Sequence, residues 1–171
     1  MVMYRVITDE EFKKITNGDK SIGKPDYDKI HFFKYGQHAR MFLPYYGQMI
    51  FECDIPDYLI EEIDYVNFYP YKFFAVGVPI PEYIIKKNDF DYAFVKNINP
   101  DIGCNDGKLY GKFLNDMYKK WKKNNKNYFN DKYGFYDYVV NYLKDKNLDD
   151  ILREFANKYN EKKGFIRLRK R

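Results

Sequence analysis

Residues 2–11 read VMYRVITDEE, and this stretch decides how the first half of the chain folds. Residues 2–7 are rich in Val, Ile and Tyr, which favour a strand. The spacing of Thr8 and Glu11 is that of a capping box, in which the Thr8 hydroxyl accepts from the Glu11 N–H and the Glu11 carboxylate reaches back to the cap. The stretch therefore predicts a strand that passes directly into a helix, which Gly18 ends.

Further short strands and helices are predicted up to about residue 98. The strands are predicted at residues 30–34, 48–55, 72–78, 82–86 and 91–98. A short helix is predicted over residues 36–43, closed by Pro44, which cannot donate a backbone hydrogen bond. A helical turn is predicted over residues 56–63, and residues 19–29 form a polar loop long enough to reach over a site. The class is α+β, with a mixed or antiparallel sheet of about six short strands.

The pattern changes at residue 105, where apolar residues begin to recur at helical spacing. The three predicted helices include residues 109–121, 135–143 and 148–159, and Asn147 caps the third. We therefore expect a sheet domain over residues 1–104 and a three-helix basic extension over residues 105–171, packed on it.

Positive charge is concentrated in this extension. Residues 1–100 contain 12 Lys/Arg and 15 Asp/Glu, whereas residues 101–171 contain 18 Lys/Arg and 10 Asp/Glu. Clustered cations attract phosphates, although such a run is also typical of a solvated helix face. A nucleic acid or an acidic protein partner is expected at Lys119, Lys120, Lys122, Lys123, Arg167, Arg169 and Arg171.

Several classes of protein are disfavoured by what the sequence lacks. Two Cys without CxxC spacing and two His do not predict a metal site. No segment approaches the roughly 18 apolar residues of a membrane span, and residues 1–11 have no apolar signal region. We expect a cytoplasmic protein that does not associate with a membrane. The sequence does not predict its oligomeric state. The 19 Tyr and 15 Phe are consistent with codon bias or with stacking surfaces.

Three segments, taken in order, resemble one known fold. Residues 4–6 (YRV) lie in the first strand, residues 30–33 (IHFF) lead into the short helix, and residues 81–85 (PEYII) begin a late strand. Together they resemble the ADP-ribosyltransferase fold, where a first-strand Arg or His, a second strand running into a helix, and a late-strand Glu line the NAD cleft. Residues 82–85 are similar to the Glu-Tyr-Ile-Val segment of poly(ADP-ribose) polymerases, and Tyr4-Arg5 resembles the start of cholera-type toxins. The resemblance covers about residues 2–98.

The resemblance implies NAD as a substrate and three catalytic candidates. Cleavage of nicotinamide from NAD passes through a cationic ribose, which the Glu82 carboxylate could stabilise. The Arg5 guanidinium could hold the pyrophosphate or orient the ribose, and the His31 imidazole could act as an acid or a base. The residues implied in cofactor binding are Tyr4, Arg5, Phe32, Phe33 and Tyr83.

Two departures from the family pattern limit which groups can accept the ADP-ribose. Residues 31–33 lack the hydroxyl side chain found there in the family, and Ile80 replaces the acidic or amide residue of arginine-modifying members. An arginine acceptor is therefore disfavoured, whereas another side chain, a nucleobase or a phosphorylated RNA end stays open.

The leading interpretation is an active or degenerate NAD-binding mono-ADP-ribosyltransferase that modifies a protein or nucleic-acid target, with toxins among its relatives. The first alternative is a non-catalytic interaction module, such as a phage-defence, inhibitor or toxin–antitoxin component. The second is a small RNA-binding or RNA-processing protein. In both alternatives Arg5 is a strand-edge salt-bridge partner, Glu82 is a solvated strand start, and His31 is a core or edge histidine.

Overall fold

The computed structural model describes residues 1–69, 76–103 and 105–169. Within these ranges six strands form an antiparallel sheet in the order β4-β5-β2-β1-β3-β6. The strands are β1 (Val2–Ile7), β2 (Lys29–Phe33), β3 (Met49–Asp54), β4 (Glu62–Phe68), β5 (Val78–Lys86) and β6 (Val95–Ile98). The helices are α1 (Asp9–Thr16), α2 (Gly36–Tyr46), α3 (Lys108–Lys123), α4 (Gly134–Leu143) and α5 (Leu148–Arg169). This is the α+β architecture that the sequence predicts.

Two of the predicted strands and turns differ from the structure. Residues 56–63 were expected to form a helical turn, but only a 3-10 turn at Asp57–Leu59 forms, and β4 follows it. The predicted strand over residues 91–98 is shortened to β6, because the Asp91 carboxylate accepts from the Ala93 N–H at 2.9 Å and caps a 3-10 turn. Most of the predicted strand at 72–78 lies outside the described residues.

Helix α2 continues past the proline that was expected to end it. Pro44 lies inside the helix, which ends at Tyr46. A proline in the last turn removes one intrahelical hydrogen bond, but the Gly47 N–H still donates to Leu43 O at 3.2 Å and closes the turn. The extra residues bring a tyrosine to the cleft described below.

The two faces of the sheet are covered by different helices. On one face Met3, Phe32 and Phe51 are fully buried together with Ile15 of α1. On the other face the Phe33 ring stacks on Phe42 of α2, with ring centroids 4.9 Å apart. Because neighbouring strand residues point to opposite faces, β2 contributes to both cores.

The chain divides into two compact units. The first comprises Met1–Val66 and Ile80–Gly107, and the second Asn67–Pro79 and Lys108–Arg171. Among the described residues of 67–79, a range that the sequence assigns to the sheet domain, Pro79 belongs to the second unit, where its carbonyl oxygen accepts from the Tyr110 hydroxyl. The packing of the helical extension on the sheet domain stays a prediction.

The second unit has an aromatic core. The Trp121 ring lies with its centroid 5.6 Å from that of Phe135, and Tyr118 and Tyr128 flank it. No helix in the described ranges has both the length and the hydrophobicity needed to cross a bilayer.

Candidate functional site

A cleft of about 670 Å³ lies in the first unit. Strands β1, β2, β4 and β5, the start of α1, the end of α2 and the loop between α1 and β2 contribute to its wall. The lining residues are Arg5, Val6, Thr8, Glu10, Glu11, Lys14, Gly23, Lys24, Pro25, His31, Phe33, Tyr46, Val66 and Glu82. All three predicted catalytic residues are among them.

Strand pairing brings these three residues together. β2 lies between β1 and β5, and Phe33 is opposite both Tyr4 and Glu82. The β1–β2 ladder has this single register pair. The Arg5 side chain links β1 to β2, because its Nη1 donates to His31 O at 2.9 Å.

His31 and Glu82 form a directly bonded pair. The His31 Nδ1–H donates to Glu82 Oε2 at 2.7 Å, with 29% of the His31 side chain and 14% of the Glu82 side chain exposed. The Tyr27 ring stacks on the imidazole with centroids 5.9 Å apart. A carboxylate on Nδ1 fixes the ring orientation and leaves Nε2 to accept or release a proton.

Arg5 is held by the protein without a direct carboxylate partner. Among the described residues it forms no ion pair, and its Nε is buried with no hydrogen-bond partner. Burial lowers the pKa of Arg5, while the charges of Glu11 and Glu82 oppose that shift. An unsatisfied buried donor costs about 1–3 kcal/mol, so this placement is unfavourable for a purely structural arginine.

The loop between α1 and β2 reaches over Arg5, as the sequence predicts. Thr8 Oγ1 accepts from the Glu11 N–H at 3.1 Å, which confirms half of the capping box. The Glu11 carboxylate, however, accepts from the Gly23 N–H at 3.1 Å and so ties the loop to α1. Gly23 has φ +91°, and a Cβ there would lie 3.8 Å from Arg5 Nη2. A positive φ is a conformation that glycine adopts at little cost.

The aromatic residues predicted to bind the cofactor are only partly at the cleft. Phe33 lines it, but Phe32 and Tyr83 are 0% and 2% exposed in the core of the opposite face, where neither ring can contact a ligand. The alternation within β2 and β5 already assigned these two rings to the face opposite His31 and Glu82. Tyr4 pairs with Phe33 and does not line the cleft, and burial raises its pKa to about 12.

Tyr46 is a lining residue that the sequence analysis missed. Its ring is 51% exposed and stacks on Phe42, which in turn stacks on Phe33. Burial of the hydroxyl and the Glu82 charge raise the pKa of Tyr46. Phe42 and Tyr46 are four residues apart, the spacing at which side chains on one helix are neighbours. The helix predicted from the sequence ends before Pro44, so that prediction does not include Tyr46.

The predicted partner-binding residues belong to the second unit. The Lys120 Nζ lies 3.1 Å from the Asp116 carboxylate, and the Lys122 Nζ lies 4.5 Å from the centroid of the Tyr118 ring. Lys119 and Lys123 are exposed on the same helix. The side chains of Arg167 and Arg169 and all of Arg171 lie outside the described part of the chain.

Among the described residues no group of metal ligands indicates a function for the cleft, and no relative among known proteins indicates one. In the part of the chain that the structure describes, no three His, Cys, Asp or Glu side chains are grouped as metal ligands. No protein-family model, curated protein or solved structure matches the chain.

Proposed function

We propose that the cleft binds NAD and that the protein transfers ADP-ribose from it, with Glu82, Arg5 and His31 as the functional residues. One observation carries the proposal: three side chains that are far apart in the sequence meet in one cleft. His31 is 26 residues from Arg5 and 51 residues from Glu82, and it bonds to both.

Glu82 is assigned the stabilisation of the transition state. Departure of nicotinamide leaves positive charge on the ribose, and a fixed carboxylate in a partly buried site lowers the energy of that charge. His31 holds one carboxylate oxygen at 2.7 Å, and the other oxygen is assigned to a ribose hydroxyl. The pair is already oriented before substrate binds, so little reorganisation is needed.

His31 and Arg5 are assigned to the acceptor and to the phosphates. With Nδ1 bonded to Glu82, the His31 Nε2 can take a proton from an attacking acceptor. The Arg5 guanidinium is fixed by His31 O and keeps its charge beside the cleft, where it would attract the pyrophosphate. A cation that is already ordered loses little entropy when the anion binds.

Tyr46 replaces the two core aromatics in the stacking role. Its half-exposed ring ends a stack of three rings, so a planar base can extend that stack into the cleft. The cleft volume of about 670 Å³ is within the range of about 300–1,000 Å³ typical of small-molecule sites.

The acceptor remains a non-arginine group on a protein or a nucleic acid. Ile80 of β5 is an apolar and fully buried residue. This position therefore has no carboxylate or amide that could orient a guanidinium acceptor. The proposal therefore includes transfer to another side chain, to a nucleobase or to a phosphorylated RNA end.

Release of nicotinamide from NAD by purified protein tests the proposal. Glu82→Gln should reduce the rate at least about 10²-fold, the loss typical for a removed transition-state contact. The matched control is Glu62→Gln, since Glu62 forms an exposed ion pair with Lys29 at 2.7 Å and does not line the cleft. Equal rates for the parent and Glu82→Gln would remove Glu82 from the mechanism. A parent protein that neither binds nor cleaves NAD would instead support the non-catalytic interaction module.

A further inference from the structure

The second unit carries a groove of its own, formed by α3, α4 and α5. The groove has a volume of about 470 Å³ and continues into a shallower concavity on α3. Both concavities share Lys119, Lys120 and Lys162, so they form one surface. We call this surface the lysine groove, and its lysines are Lys112, Lys119, Lys120, Lys122, Lys123, Lys158 and Lys162.

Most of the positive charge in the lysine groove is unneutralised. Asp116 and Glu154 are the acidic lining residues among the described side chains, and Asp116 is bound to Lys120 at 3.1 Å. Lys119, Lys158 and Lys162 are exposed and form no ion pair with described residues. Seven cations against two anions in one concavity produce a positive potential that favours a polyanion.

Tyrosine rings form the other part of the wall. Tyr138 is 37% exposed and Tyr142 is 42% exposed, and both line the groove. Tyr159 also lines it and lies beneath the Lys112 ammonium, 4.9 Å from its ring centroid. The groove therefore presents accessible aromatic surface next to unpaired cations.

We propose that the lysine groove binds single-stranded nucleic acid, with phosphates at the lysines and unpaired bases against the tyrosines. A cationic groove that follows the backbone and aromatic rings that stack bases are the two components of sequence-tolerant single-strand binding. An acidic peptide without aromatic residues, such as polyglutamate, would satisfy the lysines but has no ring to stack on the tyrosines. A duplex keeps its bases stacked on one another and cannot offer them to the groove.

This proposal is independent of NAD chemistry, because every residue in it belongs to the second unit. It is tested by fluorescence anisotropy with labelled RNA and DNA oligomers of mixed sequence, titrated over a range of salt concentrations. The groove variant replaces Lys119, Lys158 and Lys162 with Gln. The control variant replaces Lys108, Lys126 and Lys144, which are equally exposed lysines of the same unit outside the groove.

The groove variant should bind about tenfold or more weakly at low salt, and its log–log salt slope should be shallower by about 2, the value for three lost contacts to a single strand. The control variant should keep the parent's slope, because its three lysines lie outside the groove and contact no phosphate. Both variants lose the same net charge, so a difference between them reports the location of the lysines. Tyr138→Ala should weaken binding by on the order of tenfold with an unchanged slope, since stacking releases no counterions.

Three outcomes would overturn the proposal: no binding by the parent at low salt, equal losses in the groove and control variants, or displacement of the oligomer by polyglutamate at equal charge. Preferential binding of RNA or of DNA would identify which single strand the groove takes. Melting curves of both triple variants verify that each is folded.

Discussion

The cleft of the first unit and the lysine groove of the second are built in opposite ways. In the cleft, Arg5 bonds to the backbone of His31, His31 bonds to Glu82, and Glu11 ties down the covering loop. In the groove, several exposed lysines have no ion-pair partner among the described residues. Fixed, interlocked groups suit chemistry at one atom, whereas a row of exposed cations suits a long polyanion. Substitutions should therefore cost both stability and activity in the cleft but only binding in the groove.

The largest effect is expected for Arg5→Met. The substitution removes the charge assigned to the pyrophosphate and the donor to His31 O, so nicotinamide release should fall at least about 10²-fold. Loss of the donor to His31 O costs about 1–3 kcal/mol and removal of the unsatisfied Nε returns part of it, so the free energy of unfolding in urea should fall by less than about 3 kcal/mol. Arg40→Met is the control, since Arg40 donates to Ile102 O at 3.3 Å away from the cleft. Full activity in Arg5→Met would contradict the assigned role.

The sheet unit should also be the acid-sensitive part. Burial lowers the pKa of His38 from 6.5 to about 3. Below pH 6.5 the unfolded chain therefore binds a proton that the folded chain excludes, and stability present above that pH is lost as the pH falls toward about 3. The loss is about 1.4 kcal/mol per pH unit within this window. Unfolding free energies of the parent and His38→Phe, measured from pH 7 downward, should diverge by this slope, and parallel curves would refute the prediction.

A smaller effect is expected at the edge of the cleft. Tyr46→Ala removes a half-exposed ring that stacks on Phe42, so the KM for NAD should rise by up to about tenfold, in keeping with the 0.5–1.5 kcal/mol of an aromatic contact. Tyr45→Ala is the matched control, because Tyr45 is the adjacent, 69% exposed residue and does not line the cleft. Equal KM values for the two variants would exclude Tyr46 from NAD binding.

The smallest effect is expected for the stability of the groove variant. Replacing Lys119, Lys158 and Lys162 with Gln removes exposed side chains, so the free energy of unfolding should change by less than about 0.5 kcal/mol per site. Chemical denaturation measures this change. A large loss would show that these lysines support the fold and would remove the contrast between the two regions.

The sequence correctly predicts those elements whose structure is determined by residues close together in the chain. The strand at Val2–Ile7, the Thr8 cap and the helix end at Gly18 follow from propensity and backbone geometry within a few residues. Strand β4 was missed because residues 56–63 are predicted as a helical turn and no strand is predicted directly after them. The Glu11 carboxylate accepts from the Gly23 N–H, twelve residues along the chain. Rules for residues that are close in sequence do not predict this contact.

The candidate site shows the same division. Arg5, His31 and Glu82 were identified from residue type and strand position, but their contacts depend on β2 lying between β1 and β5. The prediction that Phe32 binds the cofactor is wrong, because strand alternation places its ring on the opposite face. The sequence does not indicate Tyr46, because Pro44 predicts a helix end before it. Sequence reasoning thus found the polar centre of the cleft and not its aromatic wall.

The most direct test of the central claim is a thermal-shift titration of NAD against the parent protein and the groove variant. A ligand that binds only the folded state stabilises it by RT ln(1 + [L]/Kd), which is about 2.7 kcal/mol at a hundredfold excess over Kd. We predict that NAD raises the melting temperature of both proteins equally, because the groove lysines do not line the cleft. An unchanged melting temperature of the parent at millimolar NAD would contradict the account.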